Sequence, residues 1–185
     1  VTNEATLWKA GSSINGMVYM RGKPSDYASW EKETNDKNWS WDSLLKNYIA
    51  LENNQNLKND FHGNGGPLKV SDPGYVVKGS ELYIESMKNL GLPYKNDFNT
   101  GEQYGTGLMQ YTINNGKRCD AVSAFIKPIF NNKKLTIFLK TLVTNIILEN
   151  KKAIGVEILK NGKPSKVYAN EEIILTAGAF ISPKL

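Results

Sequence analysis

The chain has 185 residues, an apolar fraction of 40% and a net charge of +5, which excludes a disordered segment and allows one domain or parts of two around a real core. Of its 23 basic residues only Arg21 and Arg118 are arginines, and the lysines are scattered beside asparagines. That pattern argues against nucleic acid as a partner, because base readout leans on arginine and basic footprints cluster on one face.

In chain order, the first feature is Gly11-Ser12-Ser13-Ile14-Asn15-Gly16, a loop of glycines, hydroxyls and an amide that runs into the apolar Met17-Val18. Glycine lets a backbone approach a ligand closely, and Ser and Asn add short hydrogen-bonding groups without filling space. Residues 23–60 read as helical and polar. Within them Trp41, Leu44, Leu45, Tyr48 and Ile49 form one apolar stripe on a helix that Ser40 can cap. A glycine-containing loop at 53–66 is followed by a short strand at 68–70, ended by Asp72-Pro73-Gly74. A helix is expected at 80–90 with Leu82, Tyr83, Met87 and Leu90 inward and Gly91 as its stop.

A strand is expected at 108–113, then the Asn114-Asn115-Gly116 turn, then a helix at 120–126 with Val122, Phe125 and Ile126 inward, closed by Pro128. From Leu135 onward the texture becomes β-rich. Segments 135–139, 142–148, 153–159 and 166–169 are separated by hairpin-like breaks at 149–151 and 161–164. The apolar run 172–176 has the pattern of a strand buried on both faces, and delivers the chain to the small residues Ala177-Gly178-Ala179. No run approaches the about 20 apolar residues of a membrane span. The single cysteine rules out an intrachain disulfide and favours a reducing, cytoplasmic setting, with membrane association of a parent enzyme left open.

His62, the only histidine, sits among Gly63, Gly65 and Gly66 and reads as structural or surface-exposed rather than catalytic; with Cys119 it makes too few ligands for a metal site. Cys119 reads as a packing residue. Neither Asp26 nor Asp42 pairs with a second acid as in a glycosidase, and no nucleophile elbow or phosphate-binding glycine loop is present.

Six collinear segments carry a resemblance. They are GSSINGMVYMRG from Gly11, NWSWD from Asn38, FHGNGGPL from Phe61, GLPY with DFN from Gly91, NGKRC with Ala121, Ala124 and Phe125, and LTAGAFISPKL from Leu175 to Leu185. Together they resemble the glucose–methanol–choline (GMC) family of FAD-dependent oxidoreductases, choline dehydrogenase branch. The resemblance implies an α/β fold, α+β in the middle. It would be an incomplete FAD-binding domain with part of an inserted substrate domain: 1–66 an FAD-domain loop and helical segment, 67–130 part of the substrate domain and a return helix, 131–185 a β-rich part of the FAD domain. Family members carry a G-x-G-x-x-G βαβ unit upstream and a catalytic His pair downstream, which places that pair beyond Leu185. The chain is therefore expected to be a fragment lacking both termini, with no catalytic residue of its own and no stoichiometric FAD when purified alone.

The implied function is oxidation of the CH–OH group of choline or another primary alcohol by hydride transfer to flavin, with oxygen or a quinone as acceptor. The alternative is a truncated, non-catalytic domain without flavin. By resemblance, Gly11, Ser12, Asn15, Gly16, Met17 and Val18 meet the flavin, Val143 meets the adenine, and Ala177 and Gly178 lie beside the dinucleotide. Ile14 stands where some members carry a histidine bonded to the flavin, so FAD is expected to be non-covalent. Trp8-Lys9-Ala10 departs from the glycines that members usually place before Gly11.

Overall fold

A computed structural model describes residues 11–185. The readings made for residues 1–10 lie outside the described residues. The chain divides into two compact units, which hold described residues 11–132 and 133–185.

In the first unit, strand β1 (Val18–Tyr19) pairs antiparallel with β4 (Gln110–Tyr111). Helix α1 (Pro24–Thr34) starts where sequence chemistry favours it: Pro24 occupies the first turn, and Asp26 accepts the Lys23 N–H at 2.8 Å. It stops at Asn35, which adopts φ 52°. Helix α2 (Trp41–Leu51) is capped by Ser40, whose hydroxyl accepts from the Ser43 N–H at 3.4 Å. Tyr27 is buried between the two helices, stacked on Trp41 at 5.8 Å and hydrogen-bonded to the Tyr48 hydroxyl at 2.8 Å. The helical reading of 23–60 ends early, because α2 runs directly into β2 (Glu52–Asn54), which pairs in parallel with β3 (Leu68–Val70).

Helix α3 (Lys78–Asn89) ends in a Schellman arrangement: the Leu92 N–H reaches the Met87 carbonyl at 3.1 Å, the Gly91 N–H reaches Lys88 at 2.9 Å, and Gly91 has φ 92°. Its inward face is not the expected one. Leu82, Tyr83 and Leu90 are exposed, while Ile84 and Met87 are half-buried. The helix offers more apolar positions than one line of contact can cover, and only the stripe through Ile84 and Met87 is partly covered. The strand expected at 108–113 breaks at Thr112. There the chain leaves β1 and enters a hairpin of β5 (Ile113–Asn114) and β6 (Lys117–Arg118). The expected third helix is a single π-helical turn, Val122–Ile126, which buries Val122 and Ala124.

The second unit is built on an antiparallel meander of β7 (Thr141–Glu149), β8 (Lys152–Lys160) and β9 (Lys163–Tyr168). Among the described residues, three hairpins turn on two residues with positive φ, at 115–116, 150–151 and 161–162, the signature of type I′ turns whose twist matches that of their strands. Pro164 lies on β9, at the edge of the sheet, where its missing N–H is tolerated.

Two β expectations fail. Residues 135–139 form no strand, and Phe138 and Leu139 are half exposed. Residues 172–176 are neither a strand nor buried, with Ile174 74% exposed. An apolar run records a tendency to be covered, but a strand also needs a neighbour to take its backbone hydrogen bonds, and the described residues give this segment none. Among the described residues no helix is long and apolar enough to cross a membrane.

Candidate functional site

The loop at 11–18 begins as a single 3-10 turn, Gly11–Ser13, with the Asn15 N–H returning to the Gly11 carbonyl at 2.9 Å. Met17 then adopts φ 62°, a left-handed conformation that costs an L-residue about 1 kcal/mol or more. Local bonds hold it there. Its N–H donates to Asn15 Oδ1 at 3.0 Å, and its carbonyl accepts from the Thr112 N–H at 2.8 Å.

A brace stands behind the loop. Arg118 Nη1 donates to the Asn15 carbonyl and to Asn15 Oδ1, both at 2.8 Å, and to the Ser12 carbonyl at 3.2 Å. Ser13 Oγ donates to Asp120 Oδ2 at 3.1 Å, and Ser12 Oγ accepts from the Ala121 N–H at 3.1 Å. Gly11, Ile14, Asn15, Gly16 and Val18 remain exposed. The outcome is a fixed polar loop whose outer surface is open.

Beyond β1, Arg21 enters a buried polar cluster that no sequence motif announced as a unit. Glu52, 0% exposed, accepts from Arg21 Nη2 at 2.6 Å, Asn54 Nδ2 at 2.8 Å, His62 Nδ1 at 2.9 Å and the Gly63 N–H at 3.2 Å. The other ring nitrogen of His62 donates to Asp97 Oδ2 at 2.9 Å. Gln110 links Asn54, at 2.7 Å, to Asp72, also at 2.7 Å. Arg21 packs over the Tyr48 and Tyr19 rings at 5.1 and 5.6 Å, and donates to the Phe61 carbonyl at 2.7 Å. Both arginines of the chain thus serve as planar, multi-donor anchors, a task a lysine cannot perform.

Burial alone would push the His62 pKa down. Hydrogen bonds to Asp97 and Glu52, and the charges on both, reverse this and raise it to about 9. Burial likewise pushes Asp97 up, but the His62 bond and the Asn99 N–H outweigh it and hold the carboxyl below its usual value. The two shifts are one interaction seen from its ends. For a raised basic pKa, the stabilisation is complete below the ordinary value of 6.5 and is lost as pH rises through about 9. The protein is therefore expected to lose stability between these limits, by up to about 3 kcal/mol. Urea unfolding midpoints measured across that window check it, and a flat profile would refute the assignment of charge to His62.

Cys119 is buried and its sulfur accepts the Lys69 N–H at 3.4 Å, a structural contact. Among the described residues no His, Cys, Asp and Glu group is placed to hold a metal. Of the other residues singled out in the sequence, Val143 lies near the start of β7, half-buried, and β7 shifts register between Val143 and Asn145. Ala177 and Gly178 follow the segment 172–176, which pairs with no described strand, and are exposed, with Gly178 at φ 91°. These three belong to the second unit, and the Gly11–Val18 loop to the first. Leu185 marked only the position beyond which a catalytic His pair is expected, and the structure gives it no chemical role of its own. It is half-buried after the 3-10 turn Ser182–Lys184, and its N–H donates to the Ile181 carbonyl at 3.1 Å. An aliphatic side chain there offers no acid, base or nucleophile. Arg118 and Asp120 escaped the sequence reading as loop partners. The signal available for Arg118 was its rarity beside so many lysines.

The profile of the GMC oxidoreductase family matches residues 10–185. Mitochondrial choline dehydrogenase of Mus musculus is 32% identical over 179 residues, which are 97% of this chain and 30% of that protein. Among solved structures, pyridoxine 4-oxidase from Mesorbium loti superposes with a TM-score of 0.87 at 33% identity, over 93% of this chain and 34% of its own. An FAD-dependent oxidoreductase from Chaetomium thermophilum matches with a TM-score of 0.87 at 30% identity, over 95% and 33%. The chain therefore spans about a third of the length of these relatives. Its motifs, its mixed helix-and-strand fold and these matches agree: the chain belongs to the GMC oxidoreductase family.

Proposed function

We propose that this chain supplies the flavin-facing segment of an FAD-dependent enzyme that oxidises the CH–OH group of a small alcohol. The observation that carries this reading is the braced loop. Gly11 and Gly16 meet nothing within 4 Å among the described residues where a Cβ would sit, so packing among those residues does not call for glycine there. The open glycines leave the backbone accessible to close approach by a flat ligand, and an exposed loop held by Arg118 is already in place to receive it. The residues present therefore fit a flavin. The bound FAD would supply the hydride acceptor for the alcohol carbon.

In this reading Gly11, Ser12, Asn15, Gly16, Met17 and Val18 offer backbone and amide contacts to the flavin, while Val143, Ala177 and Gly178 contact the dinucleotide. Segments 1–66 and 131–185 belong to the FAD domain and 67–130 to the substrate domain. The base that takes the hydroxyl proton belongs to the His pair expected beyond Leu185. Ile14 is 73% exposed and carries no nucleophile, so the flavin is held non-covalently.

The protein carrying this chain should purify with about one FAD, bleach on anaerobic addition of its alcohol, and release all its colour on acid precipitation. Arg118→Ala should weaken FAD binding about tenfold or more by freeing the loop, a loss near 1.4 kcal/mol. Flavin retained in the acid pellet would refute the non-covalent link. Wild-type protein without flavin would favour a non-catalytic domain.

A further inference from the structure

Arg21 is gripped at two points by bonds that meet at one residue. Its guanidinium reaches Glu52 at 2.6 Å, and Glu52 reaches His62 Nδ1 at 2.9 Å. Its backbone N–H donates to Asn99 Oδ1 at 2.8 Å, the Asn99 N–H donates to Asp97 Oδ1 at 2.8 Å, and Asp97 Oδ2 meets His62 Nε2 at 2.9 Å. The Asn99 amide also donates to the Tyr19 carbonyl at 3.3 Å. This is a closed ring, drawn from β1's continuation, β2, the turn at 62 and the segment at 97–99, with His62 at the point where its two arms join.

Each imidazole nitrogen faces a carboxylate, and a carboxylate only accepts. Asn54 Nδ2 lies 3.1 Å from Nδ1, but its two hydrogens are committed to Glu52 and Gln110, so it does not compete for that nitrogen. Both ring nitrogens must therefore carry protons for the ring to close. A neutral imidazole would set one lone pair against a buried anion. Arg21 and His62 together balance Glu52 and Asp97. Nearby, Gln110 hands on to Asp72, Asn59 donates to Asp97 at 3.2 Å, and Asp60 on the same turn is exposed.

We propose that His62, as an imidazolium, is a positioning residue: it closes the ring that fixes Arg21, and through the adjoining strand Val18–Tyr19 it holds the register of the Gly11–Met17 loop. The importance of that register for catalysis rests on the flavin reading above. Because Arg21 lies two residues beyond β1, loss of the proton weakens the hold on that end of the strand, where the Phe61 carbonyl and Gln103 still bind Arg21, while the Arg118 brace holds the other end unchanged. The loop then loosens without unfolding.

The test is a pH series on the whole protein with labelled histidine, the His62 resonance being assigned by its loss in His62→Gln. At about pH 7.5 both ring nitrogens should give imidazolium shifts, and the signal should change as pH passes through about 9. Over the same range the amide protection of Arg21 and Met17, corrected for intrinsic exchange, should fall about tenfold. In His62→Gln that protection should be low and independent of pH. Asp97→Asn, which keeps the shape and removes one charge, should move the transition to lower pH and serves if the first variant does not fold.

A neutral tautomer at about pH 7.5, or Arg21 protection that ignores the titration, overturns the proposal. FAD affinity is read in parallel. A protein that shows both changes but binds no FAD supports the ring and defeats the flavin reading. One that binds FAD with pH-independent Arg21 protection defeats the ring and keeps the flavin.

Discussion

Glu52→Ala is expected to destabilise the protein by about 3–5 kcal/mol, because it leaves two buried cations without their shared anion. Set against the roughly 5–15 kcal/mol that holds a typical domain together, such a loss brings the first unit close to unfolding at ambient temperature. Glu52 is one of two fully buried larger side chains in the described structure, and its carboxylate gathers donors from Arg21, Asn54, His62 and Gly63. Glu52→Gln should cost less. One amide oxygen can still accept, but its NH2 faces Arg21 or His62, and the imidazolium loses its closest counter-charge. Denaturant titration of both variants beside wild type decides the matter; an alanine loss below about 1 kcal/mol would show that water enters the cluster and replaces the carboxylate.

The second large effect belongs to two glycines of the turn that carries His62. Gly63→Ala and Gly66→Ala should each cost about 3 kcal/mol or more, while Gly65→Ala in the same turn should be nearly neutral. At Gly63 a Cβ would collide with the Ile49 carbonyl and come within 2.7 Å of the Glu52 carbonyl oxygen. At Gly66 it would overlap the Leu51 carbonyl and sit 2.5 Å from the Glu52 nitrogen. These are backbone atoms at the end of α2, which no rotamer change can move aside. Gly65 meets nothing within 4 Å and has no positive φ. The pattern of three alanine melts thus separates close packing of the turn on α2 from any general need for flexibility. Equal losses at all three positions would contradict it.

The close approach also explains how the site is assembled. The Gly66 N–H donates to the Glu52 carbonyl and the Asn54 N–H to the Gly63 carbonyl, both at 2.8 Å, which is possible only because the turn presses onto the strand without side chains between them. That contact brings His62 to Glu52, and Glu52 to Arg21. Packing of backbone on backbone, rather than attraction between charges, selects which acid and which base meet.

What the sequence determined by itself is local. The Ser40 cap, the Gly91 stop and the asparagine-led hairpin turns were legible because each is decided by a few consecutive residues and their preferred φ values. The six collinear motifs gave the family in the same way, as short words in order. Tertiary structure decided the rest. Residues 172–176 carry the apolar pattern of an interior strand, yet none of them is buried and no described strand pairs with them, since a strand is a relation between segments and its hydrogen-bonding neighbours cannot be written into its own residues. His62 looked like an isolated turn residue, and its charge comes from carboxylates ten and thirty-five positions away. Arg118 acquired its place behind the loop across more than a hundred residues. Local chemistry sets where the chain turns, but which charges share a low-dielectric interior depends on the path of the whole chain, and that energy exists only once the path is closed.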